Sequence, residues 1–369
     1  MSSSVSNERT QLRDRILRVT DADFESLALD VFRYQARCNA VYATYLHHLS
    51  RSAGHRDPAA VHTLADVPFM PIGFFKTQRV LIGDPAVVGQ AVPSAMVFAS
   101  SGTTGATTSR HIVPDLALYD AVCQRLFEDR YGPLADYHIL ALLPSYLERN
   151  NSSLVYMVQR FMALSGSPLS GFYLHNTDEL TARLRHLTAA NGGALPARKV
   201  LLIGVTFGLL DWVDQTPDLR FLADHPGVVV METGGMKGRR YANGRELLRE
   251  EVHAILTDAL GVDKIHSEYG MTELLSQAYS TGDGVFQPSA TLRVCLRDLN
   301  DPFHLYPVGE QPERTRRTGG VNVIDLANLD SCAFIETQDL GQYVGTDGSF
   351  RIMGRFDNSD VRGCNLLVL

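Results

Sequence analysis

The sequence predicts an α/β protein with mainly parallel, helix-flanked sheets and a small β-rich C-terminal part. From residue 95 onward, short apolar runs typical of strands alternate with amphipathic runs typical of helices. Near the C-terminus, Gly341, Gly345, Gly348 and Gly354 accompany short β-like runs, which favours a meander over further βαβ units. The chain has 369 residues, of which 45% are hydrophobic, so it can bury a core without metal or disulfide support.

The predicted elements begin with helices and continue with alternating strands and helices. Residues 9–52 have helical character, and a Pro- and Phe-rich connection over 67–76 follows. The strand candidates are 96–99, 138–143, 171–174, 199–205, 228–231, 264–268, 291–296 and 321–325. Helices are predicted near 151–164, 177–190, 207–223 and 244–260. Asn176, with Glu179 three residues later, is the start signal for the second of these helices.

Three regions are predicted along the chain. Residues 1–65 form an N-terminal helical region, residues 66–325 an α/β core, and residues 326–369 a β-rich subdomain with a C-terminal tail. No internal repeat and no low-complexity linker marks a further boundary.

Composition and charge narrow the class of protein. The formal net charge is −7 and there is no Lys/Arg block, which argues against a nucleic-acid or anionic-membrane partner. The N-terminus lacks the apolar region of a signal peptide, and no stretch approaches the roughly 18–20 apolar residues that span a bilayer. The five cysteines are scattered and form no Cys-x-x-Cys pair, so we expect a cytoplasmic protein without a zinc site or disulfide framework.

A loop of small and hydroxyl-bearing residues follows the first strand candidate. It consists of Ser100, Ser101, Gly102, Thr103, Thr104 and Gly105. Such residues permit a tight turn that brings several backbone N–H groups to one anion, which is typical of a phosphate-binding loop. The loop lacks the Gly-Lys-Ser/Thr ending of a Walker A motif, and a plain turn explains the same composition. A hydrolase nucleophile is disfavoured because the chain contains no Gly-x-Ser-x-Gly elbow.

A second candidate segment follows the strand candidate 264–268. Its residues are Glu268, Tyr269, Gly270, Met271, Thr272 and Glu273. In such a loop the aromatic ring can stack on a base, the hydroxyl can bond a phosphate, and the carboxylate can bind Mg²⁺, which prefers oxygen ligands. The alternative is a polar strand-to-helix connection in which Glu273 is simply solvated.

Two further segments combine glycines with charged residues. Gly234 and Gly235 follow the strand candidate 228–231 and suit the close approach of a flat ligand, although turn chemistry explains them equally well. Asp339 can accept bonds from both hydroxyls of a ribose, and Arg355 can neutralise phosphate charge. Taken singly, each of these two is a surface charge by default.

Taken together and in this order, the segments resemble the adenylate-forming superfamily of acyl-CoA synthetases, adenylation domains and luciferase. Residues 100–105 resemble the superfamily's phosphate loop, and Gly234 with Gly235 resembles its adenine-proximal turn. Residues 269–273 match its Tyr-Gly-x-Thr-Glu signature, and Asp339 matches its ribose-binding aspartate. Gly354, Arg355 and Asp357 resemble its hinge motif. The match covers roughly residues 65–365. It implies the adenylate-forming large-domain fold, with residues 66–325 as the adenylation core.

Within that superfamily, the sequence is most similar to the acyl-protein synthetases of bioluminescence fatty-acid reductase complexes. The segment ending at Lys76, the Thr-Gly-Gly-x-Lys237 turn and Gly363 with Cys364 carry this likeness. In that family a cysteine near the C-terminus accepts the acyl group, and the matching position here is Cys364. The phenylacetate-CoA ligase branch is a related neighbour.

Two departures from the superfamily pattern change what is expected. The superfamily's phosphate loop often continues to a lysine, whereas Arg110 is the nearest cation here. Only residues 358–369 follow Asp357, so we expect the usual C-terminal lid domain and its lysine to be absent. That ending fits the short acyl-protein synthetases better than CoA ligases. Lys237, Lys76 and Arg110 are the candidates to supply the missing positive charge.

The resemblance implies ATP and Mg²⁺ as cofactors and a carboxylic acid, by analogy a fatty acid, as substrate. The acid would attack ATP to form an acyl-adenylate, with Tyr269 against the adenine, Glu273 on Mg²⁺ and Thr272 bonded to the α-phosphate or the acyl carboxylate. Lys237 is a candidate catalytic cation. Cys364 would then take the acyl group as a thioester and pass it to a partner, a reductase or carrier protein.

Two alternatives stay open. In the first, the ligase delivers the acyl group to CoA or a carrier-protein thiol, and Cys364 is a structural residue. In the second, the chain is a non-catalytic subunit that binds a nucleotide or an acyl group. The acyl pocket is expected within 140–240, with Phe172, Phe207, Trp212 and Met231 as candidates to line it.

Overall fold

The computed structural model describes most of the chain. The described residues are 3–52, 58–83, 95–100, 108–144, 151–189, 198–223, 225, 227–234, 247–309 and 317–356. Over these ranges, no helix is both long enough and apolar enough to cross a membrane.

The N-terminal part consists of α1 (Ser3–Ile16), α2 (Phe24–Cys38) and α3 (Ala40–Ser52). Helix α2 forms because apolar residues such as Phe24 and Leu27 recur every three or four positions and bury one face. Asn39 separates α2 from α3, since its Oδ1 accepts the N–H groups of Val41 (3.0 Å) and Tyr42 (3.1 Å) and so caps the second helix. The predicted helical region 9–52 is therefore helical but divided into separate helices.

The central part alternates strands and helices. In chain order its elements are β1 (Met70–Pro71), α4 (Phe74–Thr77), β2 (Met96–Ala99), β3 (Arg110–Val113), α5 (Leu116–Tyr131), β4 (Tyr137–Leu142), α6 (Ser153–Ser165), β5 (Gly171–Phe172), α7 (Thr177–Ala189), β6 (Lys199–Val205), α8 (Thr206–Gln215), β7 (Val228–Thr233), α9 (Arg249–Leu260), β8 (His266–Tyr269) and β9 (Ala278–Ser280). Strands β5, β4, β6, β7, β8 and β9 form one sheet in that spatial order. Its pairs are parallel except β8 with β9, which confirms the predicted parallel, helix-flanked arrangement.

The parallel sheet buries different side chains on its two faces. Ile203 and Met231 lie in a core shared with α5 and α6, whereas Leu202 and Val230 lie in a core shared with α7, α8 and α9. Successive residues of a strand point to opposite faces, so continuous apolar runs are required where both faces are covered. We call the two sides the α5/α6 face and the α7–α9 face.

The C-terminal strands form a second, mainly antiparallel sheet. Its strands β10 (Leu292–Arg297), β11 (Gly319–Asp325), β12 (Phe334–Tyr343) and β13 (Phe350–Arg355) pair in chain order, and β1 pairs with β12 in parallel. Bridges from Phe286 to Ser280 and to Phe350 connect this sheet to the parallel one. Strands β10 and β11, which lie within the predicted core 66–325, pair in the same sheet as β12. The predicted domain boundaries at 65 and 326 stay predictions.

The structure differs from the predicted elements at several ends, and it contains elements that were not predicted, among them α5, β3 and β9. Strand β8 begins two residues later than the predicted 264, and α8 ends at Gln215, where a separate 3₁₀ turn over Arg220–Leu222 replaces its predicted continuation to 223. Helix α5 is missing from the predicted set. Apolar residues outside its buried face, such as Leu116 and Ala121, weaken the one-sided pattern by which a helix is predicted.

Candidate active site

Predicted site residues lie at the ends of two neighbouring parallel strands. In the register of β7 with β8, Thr233 stands opposite Glu268. Gly234 and Gly270, which follow the two strands, therefore leave the sheet at the same edge. Gly234 has a φ of 93°, a conformation that glycine adopts without steric cost. Ligands of open α/β sheets bind outside the carboxyl ends of the strands, so this edge is where a ligand is expected.

Two buried carboxyl groups lie at the same edge, each bonded to a threonine hydroxyl. Thr206 donates to Oε2 of Glu232 at 2.9 Å, and Thr233 donates to Oε2 of Glu268. Arg249 donates to Oε1 of Glu232 at 2.5 Å. A buried charge without a partner is costly, and only Glu232 of the two carboxyl groups has an ion-pair partner among the described residues.

The two carboxyl groups consequently differ in acidity. Burial alone would raise the pKa of Glu232, but the charge of Arg249 and its other hydrogen-bond partners outweigh it and hold that pKa below its ordinary value. Burial raises the pKa of Glu268 to about 7; the bond from Thr233 opposes this shift and the nearby charge of Glu232 adds to it. At neutral pH the first group is ionised, and the second is divided between its two protonation states.

A hydrogen bond from Tyr269 to Asp339 and an ion pair from Asp339 to Arg355 join the two sheets. The Tyr269 hydroxyl donates to Oδ2 of Asp339 at 2.9 Å. The Arg355 Nε lies 3.0 Å from Oδ1 of the same carboxylate, because Asp339 and Arg355 face each other across β12 and β13. Tyr269 and Asp339 are buried, whereas the Arg355 side chain is 40% exposed. Three predicted site residues from distant parts of the sequence thus meet in one place.

The surroundings of Tyr269 and Asp339 determine which further hydrogen bonds the two side chains can make. The Tyr269 ring packs against Phe286 and Phe350, at centroid distances of 5.8 and 5.9 Å. Burial, reinforced by the charge of Asp339, raises the pKa of Tyr269 well above its ordinary value, so its hydroxyl stays protonated and donates. Each carboxylate oxygen of Asp339 has about two acceptor positions, so further hydroxyl groups can still bond there.

The loop after β8 is held by a carboxylate that the sequence did not suggest as functional. Oδ2 of Asp325, at the end of β11, accepts the N–H groups of Leu275 (2.7 Å) and Ser276 (3.0 Å). Its Oδ1 accepts the Ser276 hydroxyl at 2.6 Å. Burial raises the pKa of Asp325, although these donors oppose the shift. The second sheet therefore positions the loop that carries the predicted signature.

Two further buried residues hold the backbone carbonyls of the same loop. His111, on β3, bonds through Nδ1 to the carbonyl oxygen of Thr272 at 2.9 Å. Asn328 donates through Nδ2 to the carbonyl oxygen of Glu273 at 2.8 Å. Strand β3 pairs with β2, and the predicted phosphate loop begins at Ser100, directly after β2. The His111 contact therefore places the β2–β3 pair against the loop of Thr272.

Glu273, the predicted magnesium ligand, is buried, with 6% of its surface exposed. The alternative of a solvated surface carboxylate is therefore wrong. The described residues contain no group of three or more His, Cys, Asp or Glu side chains able to hold a metal ion. One carboxylate together with substrate phosphate oxygens is a common way to bind Mg²⁺, so Glu273 fits an ion that is shared with a nucleotide.

Ser100 closes the base of the predicted phosphate loop. Its N–H donates to the carbonyl of Ser109 at 3.1 Å, and its Oγ accepts the N–H of Ser109 at 3.0 Å. The other loop positions Ser101, Gly102, Thr103, Thr104 and Gly105, together with Gly235, Lys237, Asp357 and Cys364, lie outside the described residues. Of the other candidate cations, Lys76 lies on α4 and Arg110 begins β3, and both are exposed.

The predicted acyl-pocket residues do not form one group. Met231 lies in the core of the α5/α6 face, and Phe172 packs against that core. Trp212 lies in the core of the α7–α9 face, where its Nε1 donates to the Thr181 hydroxyl at 3.1 Å. The prediction that Trp212 and Met231 line the same pocket is wrong, because the sheet separates them.

Comparisons with known proteins give structural likenesses at low sequence identity. No protein-family model and no curated protein matches this sequence. Similar solved structures include an ATP-bound RpMatB-BxBclM chimera, which is 17% identical over 70% of this chain and 47% of its own, with a TM-score of 0.49. An acyl-CoA synthetase from Brucella canis is 20% identical over 71% of this chain and 45% of its own, with a TM-score of 0.43. Coronafacic acid ligase from Pectobacterium brasiliense is 15% identical over 64% of this chain and 43% of its own, with a TM-score of 0.41. The chain thus spans less than half the length of each.

Proposed function

We propose that this protein activates a carboxylic acid with ATP as an acyl-adenylate and then transfers the acyl group to a thiol. The observation that carries the proposal is the chain of Tyr269, Asp339 and Arg355, which meets the loop of Thr272 and Glu273 at the carboxyl edge of the parallel sheet. An aromatic ring, a carboxylate and a guanidinium are the groups that recognise the base, the ribose and the phosphates of a nucleotide.

Each residue would have a separate task in binding ATP. Asp339 would accept from the ribose hydroxyls with its remaining lone pairs, oriented by its bonds to Tyr269 and Arg355. The half-exposed Arg355 would face the phosphate groups. Glu273 would hold Mg²⁺ together with phosphate oxygens, and the ion would neutralise the charge that develops there.

In the first half-reaction, a carboxylate oxygen of the acid would attack the α-phosphorus of ATP. The bond from that phosphorus to the bridging oxygen would break, and pyrophosphate would leave with the electron pair. The protein's contribution is positioning and oriented donors, since the carboxylate is already ionised at neutral pH and needs no base. Thr272 is the candidate donor to the α-phosphate or the acyl carboxylate, and Lys237 a candidate cation.

In the second half-reaction, the thiolate of Cys364 would attack the acyl carbonyl and displace AMP. Arg362 lies two positions before it and would favour the thiolate. The resulting thioester is still an activated form of the acid, and its acyl group would pass to a reductase or a carrier-protein thiol. In the alternative, CoA or the carrier attacks the adenylate directly, and Cys364 remains inert.

Exchange of labelled pyrophosphate into ATP tests the first half-reaction. We expect exchange that depends on one class of acid in a screen of fatty, aryl and amino acids. Glu273→Gln should lower the exchange rate about 100-fold, since a metal ion contributes several kcal/mol of charge stabilisation. Glu179→Gln, which changes a half-exposed carboxylate on α7, should leave it unchanged. Nucleotide binding without exchange for any acid would exclude the enzyme and favour the non-catalytic subunit.

Replacement of Cys364 tests the second half-reaction. Cys364→Ser should still catalyse pyrophosphate exchange but should form no hydroxylamine-sensitive acyl-protein when incubated with ATP and a labelled acid. Cys38→Ser is the matched control, because Cys38 is a partly exposed thiol at the end of α2. Undiminished acyl-protein in the Cys364 variant would exclude that residue as the acceptor, and acyl transfer to added CoA would support the alternative.

A further inference from the structure

The strand that carries Asp339 contains a β-bulge. In the pairing of β11 with β12, the single residue Val321 spans the interval that the three residues 337–339 span on β12, whereas a regular ladder pairs residues one to one. Extra residues bend a strand locally, and bulges next to functional sites re-aim a side chain. Asp339 is the last residue of this bulge, so the shape of the bulge sets the direction of its carboxylate.

Thr337 closes the bulge with its side-chain hydroxyl. The hydroxyl donates to the carbonyl oxygen of Val321 at 2.7 Å and accepts the N–H of Asp339 at 3.1 Å. Both bonds go to backbone groups in the stretch where the ladder is interrupted, and buried backbone groups need such partners. The Thr337 side chain is itself buried, so no water competes for these bonds.

Arg297 reaches the same bulge from β10, on the far side of β11. Its Nη1 donates to the carbonyl oxygen of Val321 at 2.9 Å, and its Nη2 donates to that of Thr337 at 2.8 Å. The side chain can cross β11 because the residue opposite Arg297 is Gly320, where a Cβ would lie 2.5 Å from the guanidinium carbon. A planar guanidinium fixes two acceptors in a set geometry, which the single nitrogen of a lysine does not.

The burial of Arg297 favours a role in geometry over one in stability. Among the described residues, the one carboxylate within ion-pair distance is Glu336, whose Oε1 lies 3.5 Å from Nη2. Buried ion pairs seldom stabilise a fold more than apolar residues of similar volume would. The guanidinium carbon also lies 5.6 Å from the ring centroid of Phe356, whose N–H donates to the carbonyl of Gln338 in the bulge at 2.8 Å. Arg297 therefore contacts the bulge and the residue that follows β13 together.

We propose that Arg297 and Thr337 are positioning residues for nucleotide selection, which fix the bulge of β12 so that the Asp339 carboxylate faces the ribose hydroxyls. Neither side chain touches the nucleotide, since both act through the backbone of residues 337–339. The assignment rests on the proposed adenylation, because the contact of Asp339 with the ribose belongs to it.

Pyrophosphate exchange with two nucleotides tests this role. In the wild type, we expect kcat/KM for ATP to exceed that for 2′,3′-dideoxy-ATP about 100-fold, because both ribose hydroxyls bond a charged acceptor. Thr337→Val has a similar shape but no hydroxyl, and it should reduce this ratio to about ten-fold. Thr337→Ser retains the hydroxyl and should keep the wild-type ratio. The ratio is the informative quantity, since a loss of folded protein lowers both rates alike.

A second variant tests Arg297 in the same assay. Arg297→Lys keeps the charge but not the two-point contact, so it should reduce the ratio as Thr337→Val does. Arg293→Lys is the matched control, because Arg293 also lies on β10 but contacts Asp21 and the ring of Phe24. A wild-type ratio in the folded Thr337→Val or Arg297→Lys variant would overturn the assignment for that residue.

Crystal structures of the full chain and of Thr337→Val test the bulge without reference to activity. In the variant, we expect the Asp339 carboxylate to move beyond about 3.2 Å from the Tyr269 hydroxyl, outside hydrogen-bond distance. An unmoved carboxylate would overturn the proposal, as would equal kcat/KM for the two nucleotides in the wild type. No exchange with any acid would instead refute the proposed function, while the two crystal structures would still decide whether Thr337 holds Asp339.

Discussion

The two faces of the parallel sheet differ in what they carry. On the α7–α9 face, the buried residues are mainly aliphatic side chains of the parallel strands and of α7, α8 and α9, packed around Trp212. On the α5/α6 face, the core continues past the sheet to the N-terminal helices and the second sheet and includes Tyr269, Phe286 and Phe350. Tyr269, which belongs to this second core, donates the hydrogen bond to Asp339 in the predicted nucleotide site. One face therefore supports the sheet, and the other connects it to the candidate site.

The difference has a physical origin in the connections between the strands. Helices α7, α8 and α9 return the chain between parallel strands and cover one face of the sheet, so the contacts there are mainly apolar. The other face meets a second sheet, whose Asp339 accepts from Tyr269 at the end of β8 and whose Asp325 accepts from the loop that follows. Polar groups buried at such a junction need hydrogen-bond partners, and these bonds fix the position of the loop relative to the second sheet.

Removal of Trp212 gives the largest expected effect and should separate stability from activity. Trp212→Ala empties a fully buried site on the α7–α9 face and should lower the free energy of unfolding by about 3–5 kcal/mol, measured by urea denaturation. The KM for ATP of the folded fraction should stay within about two-fold. Phe286→Ala, which removes a ring packed on Tyr269, should be destabilising and should also raise that KM. Equal changes in KM for both variants would contradict the distinction between the faces.

Removal of the Asp339 carboxylate should affect kcat/KM for ATP more than it affects stability. Asp339→Ala takes a charged acceptor from Tyr269 and from the nucleotide, so kcat/KM for ATP should fall about 100-fold, from bonds worth about 1.5–3 kcal/mol each. The free energy of unfolding should fall by about 1–3 kcal/mol, because the buried Tyr269 hydroxyl loses its acceptor, whereas Arg355 is half-exposed and can be solvated. Asp14→Ala, at an exposed position on α1, should change neither quantity. A loss of stability with unchanged kcat/KM would show that Asp339 has a structural role and does not contact the nucleotide.

Gly270 should resist a small side chain for a reason specific to this edge of the sheet. A Cβ at this position would overlap Oε1 of Glu268, which is buried and bonded to Thr233. Gly270→Ala should therefore cost about 1–3 kcal/mol of unfolding free energy, and less in a Glu268→Ala background. Gly73→Ala is the control, because that glycine has a helical φ and open space at its Cβ. A neutral Gly270→Ala would show that the Glu268 side chain moves aside freely.

The last expected effect is the pH dependence of stability that Glu268 confers, which is small when it is measured over a single pH unit. Its folded pKa is raised to about 7 from an ordinary 4.5, so between these values the native state binds more protons than the unfolded state. The free energy of unfolding therefore falls as pH rises through this range, by at most about 1.4 kcal/mol per pH unit. Glu268→Gln should remove this slope, so the variant gains stability relative to wild type as pH rises. Parallel stability curves in urea would contradict the raised pKa.

His111 acts on the same curves with the opposite sign. Burial lowers its pKa from 6.5 to about 4, so the unfolded state takes up the proton first on acidification, and the free energy of unfolding falls as pH drops through this range. Because this contribution is common to wild type and Glu268→Gln, their difference isolates Glu268.

Sequence pattern predicted much of the fold because hydrophobic period is a local property. The predicted strands 96–99 and 199–205 coincide with β2 and β6. The order of short segments also predicted Tyr269, Asp339 and Arg355 as one site, and the structure bonds them together. His111, Asp325 and Asn328 could not be predicted in this way, because each is one polar residue whose partner lies far along the chain.

The amino-acid sequence alone determined the α/β class, the parallel strands and the polar residues that follow them, since all of these depend on the period and composition of short segments. Tertiary structure alone decided that Trp212 and Met231 lie on opposite faces, that Tyr269 donates to Asp339, and that Glu268 is less acidic than Glu232. These properties depend on which strands pair and on which charges lose water on burial, and both are set by contacts between residues far apart in the chain.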